Sequence, residues 1–137
     1  MKKTVFVLAL LTAFFTACSQ GGKYGDIKAV LDKMYDANEK YMTDIQKATS
    51  ASDVASAITA FTETYKSLVP AMKELEKKYS DLDIKDSKYP AELKEYEKKF
   101  EEQSLRLEKA STSMMKFMMN KEVSDALQNM GKAMENL

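Results

Sequence analysis

A regular stripe of apolar side chains in the middle of the chain constrains the fold more than any other feature. Between residues 54 and 79 these side chains recur in strictly alternating steps of four and three residues. The stripe consists of Val54, Ile58, Phe61, Tyr65, Leu68, Met72, Leu75 and Tyr79. That spacing places all of them on one side of an α-helix, as in the seam of a helical bundle. Such a helix is stabilised mainly by packing, so other helices must cover it.

Two further stretches show the same helical spacing. The first begins at Asp26 and is interrupted by the polar Asn38. The other follows Pro90, which suits the first turn of a helix, and is weakened at Gln103 and Ser104. The apolar positions are Ile27, Val30, Leu31, Met34, Ala37, Tyr41, Ile45 and Ala48 in the first stretch, and Leu93, Tyr96, Phe100, Leu107, Ala110, Met114, Phe117 and Met118 in the other. Each stretch predicts a long amphipathic helix.

The last part of the chain changes phase after Asn120, where apolar residues continue from Val123 to Leu137. This change predicts a break and a short fourth helix, although one bent helix from Pro90 to the end is the alternative. The chain has only 4 glycines and 2 prolines, and helix-forming residues dominate it. The predicted fold is therefore all-α, in which residues 26–137 form a small antiparallel helical bundle of three long helices plus a short C-terminal helix.

Local signals indicate where these helices begin, bend and end. Ser52 is the predicted N-cap of the second helix, because its hydroxyl can accept a bond from one of the first free N–H groups. Pro70 falls inside that helix and should bend it. Residues 80–88 break the period and are rich in Asp and Ser. We expect them to form a connecting loop, with Leu82 and Ile84 tucked against the end of the bundle.

Charged residues occupy the faces that the apolar stripes leave free. Glu74 with Lys78, and Glu102 with Arg106, stand four residues apart with the acid first, which favours ion pairs along a helix. Of the 21 basic residues three precede residue 26, so the domain carries 18 basic residues against 21 acidic ones. No basic stripe suits a phosphate backbone, and we therefore expect no nucleic acid partner.

The composition also excludes several kinds of enzyme. The chain contains no histidine and a single cysteine, so Ser-His-Asp and Cys-His sites cannot form, and neither can histidine-ligated iron or haem. No glycine-rich phosphate-binding loop is present either. We therefore expect a protein that is not an enzyme and that carries no cofactor.

The beginning of the chain has the organisation of an export signal. Lys2 and Lys3 are followed by an almost entirely apolar run over residues 4–17, and then by Cys18. The run is too short for the roughly 20 residues that a membrane-spanning helix needs. Residues 1–17 are therefore expected to be a removable signal peptide.

The sequence Phe15-Thr16-Ala17-Cys18 resembles the lipobox of bacterial lipoproteins. The resemblance implies cleavage before Cys18 and lipidation of that cysteine, which would anchor the protein on a membrane of the bacterial envelope rather than across it. Ser19 resembles the residue that directs lipoproteins to the outer membrane. Residues 18–25 would then be the lipidated cysteine and a flexible tether. The alternative is ordinary secretory cleavage that leaves Cys18 as a free thiol.

Methionines are concentrated in the last quarter of the chain. They are Met114, Met115, Met118, Met119, Met130 and Met134. Three interpretations remain open: these residues fill the core, form an adaptable apolar surface for a partner protein, or bind Cu(I) through their thioethers. Helical geometry places Met115 and Met119 away from the stripe of the third helix, so we expect the fourth helix to cover them as a weak lid.

Two functional hypotheses follow from these features. The first is a helical protein–protein interaction module, with Met115, Met119, Met130 and Met134 as the candidate partner surface. The second is a carrier that binds Cu(I) or an apolar small molecule at the methionine-rich end.

Overall fold

The computed structural model describes residues 22–80, 82 and 90–135. In this part of the chain every regular element is a helix, which confirms the predicted all-α class. The α-helices are α1 (Gly25–Lys47), α2 (Ala51–Lys78), α3 (Lys94–Met114) and α4 (Lys121–Met134). Short 3-10 turns span Gly22–Tyr24, Ala91–Leu93 and Met115–Phe117. The predicted signal peptide, Cys18 and most of the loop over residues 80–88, including Ile84, lie outside the described residues. Residues 22–25, expected to belong to a flexible tether, are helical instead, and Tyr24 is buried with Ile27 and Leu31.

The turn between α1 and α2 corrects the predicted helix cap. Ser50, not Ser52, is the N-cap of α2, and Ser52 lies in the first helical turn. The Ser50 hydroxyl accepts a bond from the Asp53 N–H at 3.1 Å, while the Asp53 carboxylate accepts one from the Ser50 N–H at 2.9 Å. This reciprocal pair needs an acidic residue three positions after the cap, which Ser50 has and Ser52 lacks.

The two serines therefore give a matched pair of substitutions. Ser50→Ala should lower the free energy of unfolding by about 1 kcal/mol, because it removes the side chain that satisfies a free N–H group of α2. Ser52→Ala should change it by only a few tenths, since Ala is the better helix former and no cap is lost. Urea unfolding followed by circular dichroism measures both. A larger loss for Ser52→Ala would contradict the assignment of the cap.

The other predicted helix signals agree with the structure in part. α2 continues through Pro70, whose ring removes the bond to the Lys66 carbonyl. Pro90, expected in the first turn of the third helix, lies before the 3-10 turn Ala91–Leu93, and α3 begins only at Lys94. Asn120 caps α4 by accepting a bond from the Glu122 N–H at 2.9 Å. The last part of the chain is therefore two helices separated at Asn120, and the alternative of one bent helix is wrong.

Two groups of buried apolar side chains join the helices. One lies where α1 begins, and there Ile27 and Leu31 pack with Leu93 and Tyr96. Leu82 packs against this group, as expected for the end of the bundle. The other group lies around the second half of α1 and joins all four α-helices. Its buried members are Tyr41, Met42, Ile45, Val54, Ala57, Ile58, Ala110, Met114, Val123 and Ala126.

Polar side chains connect the helices at the two positions where the apolar stripes are interrupted. Gln103 of α3 is only 1% exposed, and its amide oxygen accepts a bond from Asn38 of α1 at 2.7 Å. The Gln103 amide nitrogen donates to the Glu39 carboxylate at 2.9 Å and to the Tyr35 carbonyl at 3.0 Å. The Tyr65 hydroxyl of α2 donates to Asn38 at 3.0 Å. The polar side chains that interrupt the stripes therefore satisfy one another's hydrogen bonds across the helix interfaces.

Arg106 extends this polar group towards solvent. Its guanidinium donates to both carboxylate oxygens of Glu39 and to the Tyr35 hydroxyl, rather than to Glu102 of its own helix. Partial burial opposes the charge of Glu39, but the bonds from Gln103 and Arg106 outweigh it, so the pKa of Glu39 lies below its usual value. The ion pair therefore joins α1 to α3.

Candidate functional site

A turn rich in methionine connects α3 to α4 at one end of the helices. Met115 and Met118 both have right-handed helical backbone angles, and the Met118 N–H donates to the Met115 carbonyl at 3.2 Å. The chain therefore makes almost one more helical turn after α3 before Asn120 ends it. We call residues 115–120 the methionine turn.

Three methionine side chains of this turn project into solvent. Met115 is 64% exposed, Met118 is 45% exposed and Met119 is 98% exposed. Their neighbours fix the turn, because Met114 is buried and its sulfur lies 3.8 Å from the Tyr41 hydroxyl, and Phe117 packs against the core. The packed residues hold the backbone in place, so the three thioethers are presented on an ordered segment.

The expected lid over Met115 and Met119 is wrong. α4 packs along α2, and its buried residues Val123 and Ala126 belong to the core group that contains Ile58. The apolar stripe of α4 is therefore used against α2 and is not available to cover the turn.

The four methionines of the predicted partner surface differ in their environments. Met115 and Met119 are exposed on the methionine turn, whereas Met130 and Met134 are half-buried on α4. Met130 packs against the core group, so core filling accounts for it. We accordingly restrict the candidate partner surface to the turn and add Met118, which the sequence pattern had assigned to the core stripe.

Peroxide oxidation followed by mass spectrometry tests this exposure. Met119 and Met115 should oxidise quickly in the folded chain, because most of each residue is exposed to solvent. Met42 should oxidise slowly, since it is 4% exposed and belongs to the core group that joins all four α-helices. Rates that are equal at Met42 and Met119 below the unfolding transition would contradict the description of the turn.

Lysines flank the methionine turn. The Lys116 ammonium lies 4.8 Å from the centre of the Phe117 ring, and Lys121 bonds to Asp125 at 2.6 Å, which raises the pKa of Lys121. No acidic residue occurs between Lys109 and Lys121 in the sequence. Lys116 therefore places a positive charge within the exposed apolar turn, whereas the charge of Lys121 is paired with Asp125.

A groove between α1 and α2 is the second candidate site. It encloses about 910 Å³ and runs from Asp26 and Lys78 at one end to Asp44 and Ala57 at the other. Small and aliphatic side chains line it, among them Ala29, Val30, Ala37, Leu68, Ala71 and Leu75. The groove therefore offers a long apolar surface that the other helices leave uncovered.

Ion pairs mark both ends of the groove. At one end Lys78 bonds to Asp26 at 2.6 Å, rather than to Glu74 as the helical spacing predicted, and the Tyr79 hydroxyl bonds to the same carboxylate at 2.8 Å. Partial burial opposes the charge of Asp26, but these bonds outweigh it and lower its pKa. At the other end Lys40 pairs with Asp44 along α1. The charges thus lie at the ends and on the rims, and the floor is apolar.

The apolar stripes do not predict this groove. Its signal is a set of small residues beside the main stripes, Ala29 on α1 and Ala57, Ala60 and Ala71 on α2. Alanine is also simply a good helix former, so the set cannot be distinguished from ordinary helix composition before the two helices are placed together.

The described residues contain no group of three or more His, Cys, Asp or Glu side chains that could hold a metal ion. Among the helices of the described chain, none is long and apolar enough to span a bilayer.

No family model matches the chain, and comparisons with curated proteins and with solved structures find no similar protein. Evidence for the function therefore comes from the methionine turn and the groove themselves.

Proposed function

We propose that this protein is a non-enzymatic lipoprotein of the bacterial envelope that binds another protein through its methionine turn. The exposure of Met115, Met118 and Met119 on an ordered segment is the observation that carries the proposal. Large apolar side chains grouped at a protein surface typically mark an interaction site. Methionine suits such a site, because its flexible, polarisable side chain adapts to the shape of a partner.

The anchor and the methionine turn lie at opposite ends of the domain in this proposal. Gly22, at the start of the described chain, is four residues from Cys18, whereas Tyr41 contacts Met114 far along α1. At 1.5 Å per helical residue, Tyr41 lies roughly 25 Å along α1 from its beginning. A lipid on Cys18 would therefore hold the domain with the turn directed away from its own membrane, which we assign to the outer membrane because of Ser19.

The chemistry of the turn indicates what its partner should offer. The exposed thioethers suit an apolar pocket, and the Lys116 ammonium within the turn favours an acidic residue beside that pocket. We therefore propose a partner protein with an apolar pocket and at least one acidic residue at its edge.

We also infer that the helices run up and down in a bundle, with α1 and α2 antiparallel and α3 alongside α1. The order of the contacts supports this arrangement. From α1 to α2 they pair Asp26 with Lys78, Asn38 with Tyr65 and Tyr41 with Phe61, and from α1 to α3 they pair Asp32 with Tyr96, Asn38 with Gln103 and Tyr41 with Met114.

Site-specific photo-crosslinking in intact cells tests the proposed partner surface. A benzophenone amino acid at position 119 should give one discrete crosslinked product, whereas the same group at Asn129, an exposed position of α4, should not. The double substitution Met115→Glu and Met118→Glu should abolish the product, because charged side chains oppose docking in an apolar pocket. Equal products from positions 119 and 129 would reject the turn as the binding surface.

A carrier that binds Cu(I) is the second candidate function. The three exposed thioethers lie within five residues on one helical turn, and thioethers are soft ligands that favour Cu(I). The apolar groove lies between α1 and α2 and not at the methionine turn. We therefore do not propose that the turn binds an apolar small molecule. Titration with Cu(I) against a competing chelator should show tight uptake that Met119→Leu weakens and Met34→Leu does not. Absence of uptake would remove the carrier.

A further inference from the structure

The groove between α1 and α2 has the size and shape of a binding site for a long, thin apolar group. From Asp26 to Asp44 it follows eighteen residues of α1, or roughly 27 Å at 1.5 Å per residue. Its volume of about 910 Å³ falls in the range of small-molecule sites. A helix of that length and about 11 Å in diameter occupies roughly 2,500 Å³, so most of it would remain outside the groove. A single acyl chain would be contained.

One end of the groove lies close to the start of the described chain. Asp26 lines the groove and is separated from Gly22 by a 3-10 turn and the first residues of α1. Cys18 precedes Gly22 by four residues, so the two α-carbons are at most about 14 Å apart. An acyl chain attached to Cys18 therefore starts close enough to enter the groove at its Asp26 end when the intervening residues run towards that end.

We propose that the groove holds an acyl chain carried by Cys18 of the same molecule whenever that chain is not inserted in a bilayer. The inference rests on the lipidation of Cys18 in the proposed function. The polar linkage of the lipid would stay at the mouth, near Asp26 and Lys78, and the hydrocarbon would lie along Val30, Leu68 and the alanines of the floor. The groove would thus shield from water an apolar chain that the bilayer otherwise accommodates.

A photoactivatable palmitate analogue tests the proposal on the full lipidated chain. Cells incorporate the analogue, the protein is purified, and detergent is removed in the absence of vesicles before irradiation. Mass spectrometry should then find crosslinks from the Cys18 peptide to groove-lining residues such as Leu68 and Ala71. Adding lipid vesicles before irradiation should move the crosslinks from the protein to lipid. Mixing light and heavy protein should show that both peptides of each crosslink come from one molecule.

Two tryptophan variants supply the control for the groove itself. Ser67 and Thr59 are both exposed on α2, and each hydroxyl donates to a backbone carbonyl of its own helix, but only Ser67 lines the groove. Ser67→Trp should abolish the crosslinks at Leu68 and Ala71 because its ring blocks the groove beside them, while Thr59→Trp should leave them intact. Circular dichroism checks that both variants remain folded. Crosslinks that persist in Ser67→Trp would overturn the proposal.

The outcomes separate this inference from the proposed function. If Cys18 carries the analogue but crosslinks lie outside the groove, the inference fails and the lipid anchor stands. If Cys18 carries no analogue, both fail. Crosslinks between light and heavy molecules would assign the groove to the lipid of a second copy and reject the intramolecular version. Groove labelling of the Cys18→Ala chain by added free analogue, without labelling in the lipidated chain, would assign the groove to a free fatty acid instead.

Discussion

Gln103→Leu is expected to lower the free energy of unfolding by about 2 kcal/mol, although leucine is apolar and of similar size. The substitution removes the acceptor for the Asn38 amide at 2.7 Å and one donor to Glu39 at 2.9 Å. A buried polar group that loses its partner costs roughly 1–3 kcal/mol, and this cost exceeds the gain from one additional apolar side chain. Chemical denaturation followed by circular dichroism measures this change in the free energy of unfolding.

A double-mutant cycle distinguishes the lost hydrogen bond from a simple change in packing. Asn38→Leu alone should also destabilise, because Gln103 is 1% exposed and would keep an unpaired amide oxygen. The double substitution should cost less than the sum of the two single ones, since neither the buried Gln103 amide nor the half-buried Asn38 amide is then left without the other. Additive effects would show that the Asn38–Gln103 bond contributes nothing.

This pair also shows how far the sequence predicts the fold. The stripes on α1 and α3 predicted both helices, while Asn38 and Gln103 were only interruptions in those stripes. A helical period describes one helix at a time, so it cannot show that two interruptions meet. The same limit applies to Arg106, which the spacing paired with Glu102 and the structure pairs with Glu39 of another helix.

Local sequence signals predicted one helix start correctly and another incorrectly. The break at Asn120 was predicted because the stripe changes phase there, and the structure confirms it. The cap of α2 was misplaced by two residues, since Ser50 and Ser52 are chemically equivalent and only the position of Asp53 distinguishes them. Capping depends on a spacing of three residues rather than on the serine itself.

The candidate sites required the arrangement of the helices. The angular positions of Met115 and Met119 correctly placed them off the α3 stripe, but their exposure depends on where α4 packs, and α4 lies along α2. The α1–α2 groove depends on which faces of two helices remain uncovered after packing. Neither surface is a property of a single helix, so neither could be predicted from the pattern of one helix at a time.

Cys18→Ala is expected to abolish lipidation of the protein and, once residues 1–17 are removed, its retention on the membrane. In the proposal the lipid on Cys18 is the anchor, and no described helix can span a bilayer in its place. The variant chain should remain unprocessed, or be released in soluble form if residues 1–17 are removed by another peptidase. Metabolic labelling with a palmitate analogue and fractionation of cell membranes measure both effects.

Ser19→Ala is the matched control, because it changes the neighbouring residue and leaves the thiol in place. It should keep the label and the membrane fraction, so that a loss seen only in Cys18→Ala comes from the cysteine rather than from a disturbed signal sequence. Label retained by Cys18→Ala would disprove lipidation at this position. Membrane retention of Cys18→Ala without label would instead be the unprocessed outcome, in which residues 1–17 stay attached and hold the chain. Absence of label from the unsubstituted chain would remove both the lipid anchor and the acyl chain proposed for the groove.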